Sequence, residues 1–267
     1  MASRELTVTN PWPGARCVLF DETDSTMDEA RRLAGSGAAS GSVVIADYQR
    51  QGRGRLPGRR WDALPGESLL FTLVLSGERG IPGPVTLLAG LALLDAVETT
   101  MSGEGPAGPG GEGSLRSSVR ATLKWPNDLL LDGRKAAGIL CESGPRGILV
   151  GVGLNLLQRS FAGDLADRAT SLALAYGRSP SRESLLESFL ARFHALVTGG
   201  AWKERYEGRM AYRGEIRRFA EGAGDRGMEL EARILGVGDD GALNLELPDG
   251  RRIRSVSGEL AGGSVPV

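Results

Sequence analysis

Thirteen consecutive residues, Gln49 to Trp61, hold five arginines and three glycines and no acidic residue. Guanidinium groups massed this closely repel one another, and a negative partner among them offsets the strain. The glycines let the backbone approach such a partner and turn its N–H groups toward it. A second cluster, Lys124-Trp125-Pro126-Asn127-Asp128, sets a cation, an aromatic ring, an amide and a carboxylate at one strand end. Asp128 there has the chemistry of a magnesium contact or a proton acceptor. Lys135 precedes the small-then-apolar run Ala136-Ala137-Gly138-Ile139-Leu140, so its ammonium reaches out from a strand whose neighbours lie close. Ser25 and Thr26 stand at a helix start, where hydroxyls either cap the helix or face a polar ligand together with its free N–H groups. Each cluster also has a plain structural reading: a cap for Ser25 and Thr26, a turn for Asn127-Asp128, and a solvated side chain for Lys135.

Composition removes several other chemistries. The chain has 267 residues, 41% of them apolar, which is ample for a core, and 32 Lys plus Arg against 33 Asp plus Glu. Such a balance lacks the overall positive field of a protein that grips nucleic acid through phosphates, so any basic site is local. His194 is the sole histidine and lies in a helical segment, which excludes Ser-His-Asp chemistry. Cys17 and Cys141 each sit in an apolar, strand-like run and read as small buried hydrophobes, so no zinc site can be assembled. No Gly-x-x-x-x-Gly-Lys-Ser/Thr sequence is present, and the arginine loop is therefore not a P-loop. Residues 1–16 lack the apolar stretch of a signal peptide and no apolar run reaches about 18 residues, so a cytoplasmic protein without membrane contact is expected.

The elements that must position these residues follow from periodicity and punctuation. A short strand at 16–20 leads into a helix over Met27 to Ala34, capped by Ser25 or Thr26 and ended by Gly35 and Gly37. Strands at 43–47 and 68–75 bracket the arginine loop, about twenty residues with no structure of their own, a length that is functional or disordered. Pro84 to Thr100 spaces its leucines as a long helix, and Gly103 to Ser118, with six glycines and two prolines, reads as a solvated insertion. Strands at 120–125 and 129–131, a tight turn at Asp132-Gly133, and a hairpin of 135–143 with 147–154 make a largely antiparallel or mixed sheet. Helical spacing over 183–209 closes a first domain. From Arg213, short alternating runs broken by Asp239-Asp240-Gly241 and Pro248-Asp249-Gly250 predict a small β-barrel. No helix-turn-helix pattern precedes the first strand.

Five ordered motifs, Thr23-Asp24-Ser25-Thr26, Tyr48-Gln49 with Gly52-Arg53-Gly54-Arg55 and Gly58-Arg59-Arg60-Trp61, Lys124 to Asp128, Arg134 to Leu140, and Gly151-Val152-Gly153-Leu154-Asn155, together resemble the biotin protein ligases. The Gly258-Glu259 pair after a β-rich tail is similar to the end of that family's SH3-like domain, so the resemblance runs from about residue 16 to 260. It implies an α+β, class II synthetase-like catalytic domain over 1–210, with the insertion at about 102–118, followed by an SH3-like domain over 213–267. It further implies a ligase of the type without the DNA-binding domain, and so without a DNA partner.

Such an enzyme joins biotin to the α-phosphate of ATP, with Mg2+, giving biotinyl-5′-AMP, and then passes biotin to a lysine of a biotin carboxyl carrier protein, by family default that of acetyl-CoA carboxylase. The first step needs no base, because a carboxylate with a pKa near 4 is already ionised; it needs two anions brought together and the developing charge neutralised. The resemblance gives Arg53, Arg55 and Lys135 that task. It places Ser25, Thr26, Met27, Gln49, Gly52, Arg53, Gly54, Arg55 and Lys135 around biotin, and Arg59, Trp61, Asn127, Lys135 and Asn155 around the nucleotide. Asp128 would contact magnesium and take the proton of the acceptor lysine. Met27 stands where many members have Asn, leaving its backbone N–H as the contact, and Leu56-Pro57 makes the loop one residue longer than in some members. A lipoate or octanoate ligase of the same architecture, and an RNA-binding module using the Arg-Gly loop, are the alternative readings. Monomer and homodimer are both compatible with the sequence.

Overall fold

A computed structural model describes residues 3–56, 58–77, 84–102, 119–222 and 229–261. The Gly103 to Ser118 insertion lies outside the described residues. An eight-stranded sheet in the order β1-β2-β3-β4-β8-β7-β6-β5 forms the larger part. Its strands are β1 (Ser3–Glu5), β2 (Cys17–Thr23), β3 (Val43–Gln49), β4 (Ser68–Ser76), β5 (Ala121–Lys124), β6 (Asp128–Leu131), β7 (Arg134–Gly144) and β8 (Gly147–Asn155). Only β2 and β3 run parallel, joined by the crossover helix α1 (Thr26–Gly35); the other neighbours are antiparallel. The mixed, largely antiparallel sheet expected from the sequence is therefore present. Asp132 and Gly133, at φ 48° and 78°, make the tight turn between β6 and β7.

Alternation along the strands sends one set of side chains under the helices and the other to the opposite face. Leu73, Leu123, Leu129, Ile139, Val152 and Leu154 join the main core with α2 (Val85–Ser102) and α4 (Arg182–Val197). By length and composition α2 is apolar enough to cross a membrane, yet it is a core helix here: Leu87, Leu88, Leu91, Leu94 and Val97 are all buried. On the other face, α1 lays Met27, Ala30 and Ala34 against Val44, Val74 and Leu149. Its start is fixed by Ser25, extended at φ −159°, whose Oγ accepts the Met27 N–H at 3.3 Å. Asp28 and Glu29 in the first turn meet the positive end of the helix dipole.

The continuous helical run expected over 183–209 is broken. Gly199 takes φ 120° and the Gly200 amide closes back on Ala195 O, which ends α4 and lets a separate α5 (Lys203–Arg209) begin. A short α3 (Leu172–Tyr176), capped by Ser171 Oγ, follows one 3-10 turn at Gly163–Leu165. His194 packs edge-on against Trp12, at the edge of the core. Cys17 is buried and Cys141 half-buried, both without a disulfide.

After α5 come β9 (Ile216–Glu221), β10 (Glu229–Val237), β11 (Leu243–Glu246), β12 (Arg252–Ser255) and β13 (Gly258–Leu260), an antiparallel five-stranded sheet ordered β12-β11-β10-β9-β13. Its inner face joins the main core through Phe219, Ile234, Leu243 and Leu260. Trp125 ties the two sheets together, with its Nε1 donating to Gly241 O at 3.0 Å and its ring 6.2 Å from that of Phe219.

Candidate active site

One row of cross-strand neighbours runs Lys124, Asp128, Gly138, Gly153, Leu70, Ala46 across six strands. Gly138 and Gly153 lie on the face opposite α2, and the absence of side chains there leaves a shallow floor. Trp61 lies on that floor. A Cβ at Gly153 would come 2.6 Å from its Cε2, and one at Gly138 3.1 Å from its Cζ3, so only glycine permits the approach. The Lys135 ammonium stands 5.9 Å from the indole centroid, within cation–π range. Trp61 Nε1 is buried against Gly153 without a hydrogen-bond partner.

The arginine loop that delivers Trp61 is not structureless, contrary to the sequence expectation. Gly54 N bonds to Arg59 O at 2.8 Å and Trp61 N to Gly52 O at 3.0 Å, so the loop folds as a small hairpin with Arg53 bridged to Arg60. Its charges are also satisfied from within the protein. Arg50 pairs with Glu22 and Asp24, Arg53 with Asp28 at 2.9 Å, and Arg59 with Glu259 at 3.4 Å. Arg55 donates to Gly258 O at 2.8 Å, and Arg60 bonds to Arg50 O. The sequence contains no acidic residue in the stretch, and the negative partners come instead from α1, β2 and its following turn, and β13. Burial pushes the Asp28 carboxyl up, but hydrogen bonds from Arg53 and Arg31 outweigh it and hold the group below the usual carboxylate range.

Beside the floor, on the α1 side, the polar groups are neutral, with Ser25, Thr26 and Thr72 buried and Gln49 half-buried. Gln49 Oε1 accepts from Thr26 N at 2.7 Å and from Thr26 Oγ1 at 3.0 Å, and Thr72 Oγ1 donates to Thr26 Oγ1 at 2.9 Å. Thr72 escapes a sequence search because its strand reads only as an apolar run. Its register, opposite Gly151 of β8, is what brings it beside α1. Met27 does not present its backbone N–H, which is committed to Ser25 Oγ, and its side chain is buried in the cluster under α1 with its sulfur against Gly151. The expected free N–H contact is thereby corrected: the helix cap consumes it.

At the other end of the floor, Lys135 Nζ lies 2.7 Å from Asp128 Oδ1. Asn127 Nδ2 donates to Ile139 O and Asn155 Nδ2 to Thr170 O, both at 3.0 Å, so each amide pins a backbone segment beside the site. Burial pushes the Lys124 ammonium below the usual lysine range, with Asp128 and Glu259 acting against that shift. Cavities elsewhere, of about 420 Å³ between α2, α4 and α5 and about 250 Å³ beside the β7–β8 turn, are lined by none of the sequence-predicted site residues.

Residues 19–158 match the biotin/lipoate A/B protein ligase family. The biotin--[acetyl-CoA-carboxylase] ligase of Paracoccus denitrificans is 32% identical over 92% of this chain and 100% of its own length. The bifunctional ligase/repressor BirA of Bacillus spizizenii is 30% identical over 92% of this chain and 74% of its own. Among solved structures, the biotin protein ligase from Aquifex aeolicus in complex with biotin and ATP superposes with a TM-score of 0.71 at 25% identity, over 92% of this chain and 97% of that one. The chain belongs to the biotin/lipoate A/B protein ligase family. Within that family it is a biotin protein ligase, and the lipoate ligase reading is not favoured.

Proposed function

We propose that this chain joins the biotin carboxylate to the α-phosphate of ATP, releasing pyrophosphate, and transfers biotin from biotinyl-5′-AMP to a lysine of a biotin carboxyl carrier protein. The observation that carries the residue roles is the glycine floor at Gly138 and Gly153, with neutral donors and acceptors on one side and a cluster of cations at the other end. Thr26, Gln49, Ser25 and Gly52 then surround the uncharged ring system of biotin. Thr72 adds a hydroxyl to that set. Arg53, Arg55, Gly54 and Lys135 meet the carboxylate and the α-phosphate, where fixed positive charge counts most because negative charge develops there in the transition state. Arg59 and the Trp61 indole serve the nucleotide, while Asn127 and Asn155 hold the backbone around it.

Each of Arg53, Arg59 and Lys135 has a carboxylate partner within the protein, namely Asp28, Glu259 and Asp128. Binding is therefore an exchange, in which the ligand's anions replace the protein's own. An ion that travels with ATP suits this arrangement better than a resident one. Among the described residues no group of three or more His, Cys, Asp or Glu could hold a metal, and Mg2+ needs only one or two carboxylates beside substrate phosphates. Asp128 is the residue that would hold it, and the ion would supply charge neutralisation at the phosphates. In the second step the acceptor lysine, with a free pKa of about 10.4, must lose a proton, and Asp128, once released from Lys135, takes it.

The five-stranded sheet over 216–260 is the SH3-like domain in this reading, and 1–210 the catalytic domain. A carrier of the acetyl-CoA carboxylase type and a cytoplasmic setting belong to the same reading. Incubation with ATP, Mg2+ and either biotin or lipoate, followed by mass measurement of a biotin carboxyl carrier domain, tests it. Biotin is expected to be attached and lipoate not; attachment of lipoate alone would reverse the substrate assignment.

A further inference from the structure

Lys124 has no part in the roles assigned above. It ends β5 directly opposite Asp128, at the far end of the row that continues through Gly138 and Gly153, on the face that carries Trp61. Its neighbour Leu123 points the other way, into the core beneath α2. Lys135 nearby is paired with Asp128, but among the described residues the half-buried Lys124 ammonium has neither an ion pair nor a side-chain hydrogen bond. Four cations, Lys124, Lys135, Arg168 and Arg59, gather here around two carboxylates, Asp128 and Glu259. An ammonium withdrawn from water without a partner is costly, and an excess of positive charge at one end of a groove attracts a polyanion.

We propose that Lys124 binds the β- and γ-phosphates of ATP and stabilises pyrophosphate as it leaves. The inference rests on the adenylation reading above. In that step a carboxylate oxygen of biotin bonds to the α-phosphorus, and the bond from that phosphorus to the bridging oxygen breaks. The bridging oxygen departs with the electron pair, and no proton moves. Negative charge therefore grows on the leaving group, and a fixed cation beside it is worth more in the transition state than before it. With the ring system of biotin beside Thr26 and Gln49, and the junction between carboxylate and α-phosphate at Lys135, the remaining phosphates extend toward Lys124.

Two variants, Lys124→Gln and Lys124→Arg, and two assays test this. ATP–pyrophosphate exchange in the presence of biotin reads the first step, and transfer from preformed biotinyl-5′-AMP to a carrier domain reads the second. For Lys124→Gln, exchange is expected to fall by at least about tenfold and inhibition by pyrophosphate to weaken in parallel. Transfer should stay within about twofold of the unsubstituted chain, with most of the exchange restored in Lys124→Arg. Unchanged exchange, a common fall in both assays, or a fall in transfer alone would each overturn the proposal. The unsubstituted chain keeps the two readings apart: exchange there with no effect in Lys124→Gln counts against Lys124 alone, whereas no exchange there counts against adenylation itself.

Discussion

Around Thr26 the site consists of buried hydroxyls and one half-buried amide, all neutral and hydrogen-bonded at 2.7 to 3.0 Å. Around Asp128 it consists of opposite charges, part-exposed, with Lys135 paired and Lys124 unpaired. The neutral end is already satisfied and rigid, so a ligand there gains by shape and by matching a preformed set of donors and acceptors. The charged end is satisfied only by pairs that the ligand must break, so binding there is an exchange whose net gain is smaller than its contacts suggest. In the proposed reading, recognition of an uncharged ring at one end and turnover of phosphate at the other call for this difference.

Substitutions at the two ends should therefore fail in different ways. Lys135→Met removes the cation that the proposed function sets beside the developing phosphate charge, and adenylation measured as pyrophosphate release should fall by about 10² to 10³ in kcat. Thr26→Val removes the hydroxyl that donates to Gln49 Oε1 and accepts from Thr72, leaving Gln49 Oε1 only its bond from the Thr26 N–H, without changing charge; a cost of about 1 to 3 kcal/mol predicts a rise of roughly five- to 150-fold in the KM for biotin, with kcat less affected. Equal loss of kcat in both variants would dissolve the distinction between the ends. Gly153→Ala puts a methyl group into the Trp61 indole, and a clash of about 1 to 3 kcal/mol should lift the ring from the floor, read as a shift in tryptophan fluorescence and weaker ATP binding.

Asp28→Asn should give the smallest effect. The carboxyl pKa is lowered on folding, so its stabilisation is present above the unfolded value of about 3.9 and is lost as pH falls through the folded value. As a part-exposed pair it contributes less than about 1 kcal/mol, and the difference in stability between variant and parent at pH 7 should vanish in acid. A difference that grows toward low pH would reverse the sign of the argument.

Much of this was legible in the chain. Alternating apolar residues and turn signals give the strands of the main sheet, and Ser25 with Asp28 and Glu29 gives the start of α1, because both are local effects. The arginine loop announces an anion through charge density alone. Its hairpin is not legible, because the bonds between Gly52 and Trp61 and between Gly54 and Arg59 join residues with no strand pattern. Nor are its partners, since Asp28, Gly258 and Glu259 arrive from elsewhere in the chain through the folding of both sheets. Thr72 and the Gly138–Gly153 floor are consequences of register, which local sequence pattern does not reveal. The break between α4 and α5 was readable in Gly199-Gly200 and was outweighed by the apolar spacing on either side.

Hydrogen exchange across residues 49–61, with and without biotin plus ATP and Mg2+, tests the partner exchange most directly. If ligand anions replace Asp28 and Glu259 as partners of the loop, the amides of Gly54 and Trp61 should become markedly more protected when both substrates are present, and less so with biotin alone. Exchange across 49–61 that is indifferent to biotin plus ATP would contradict it.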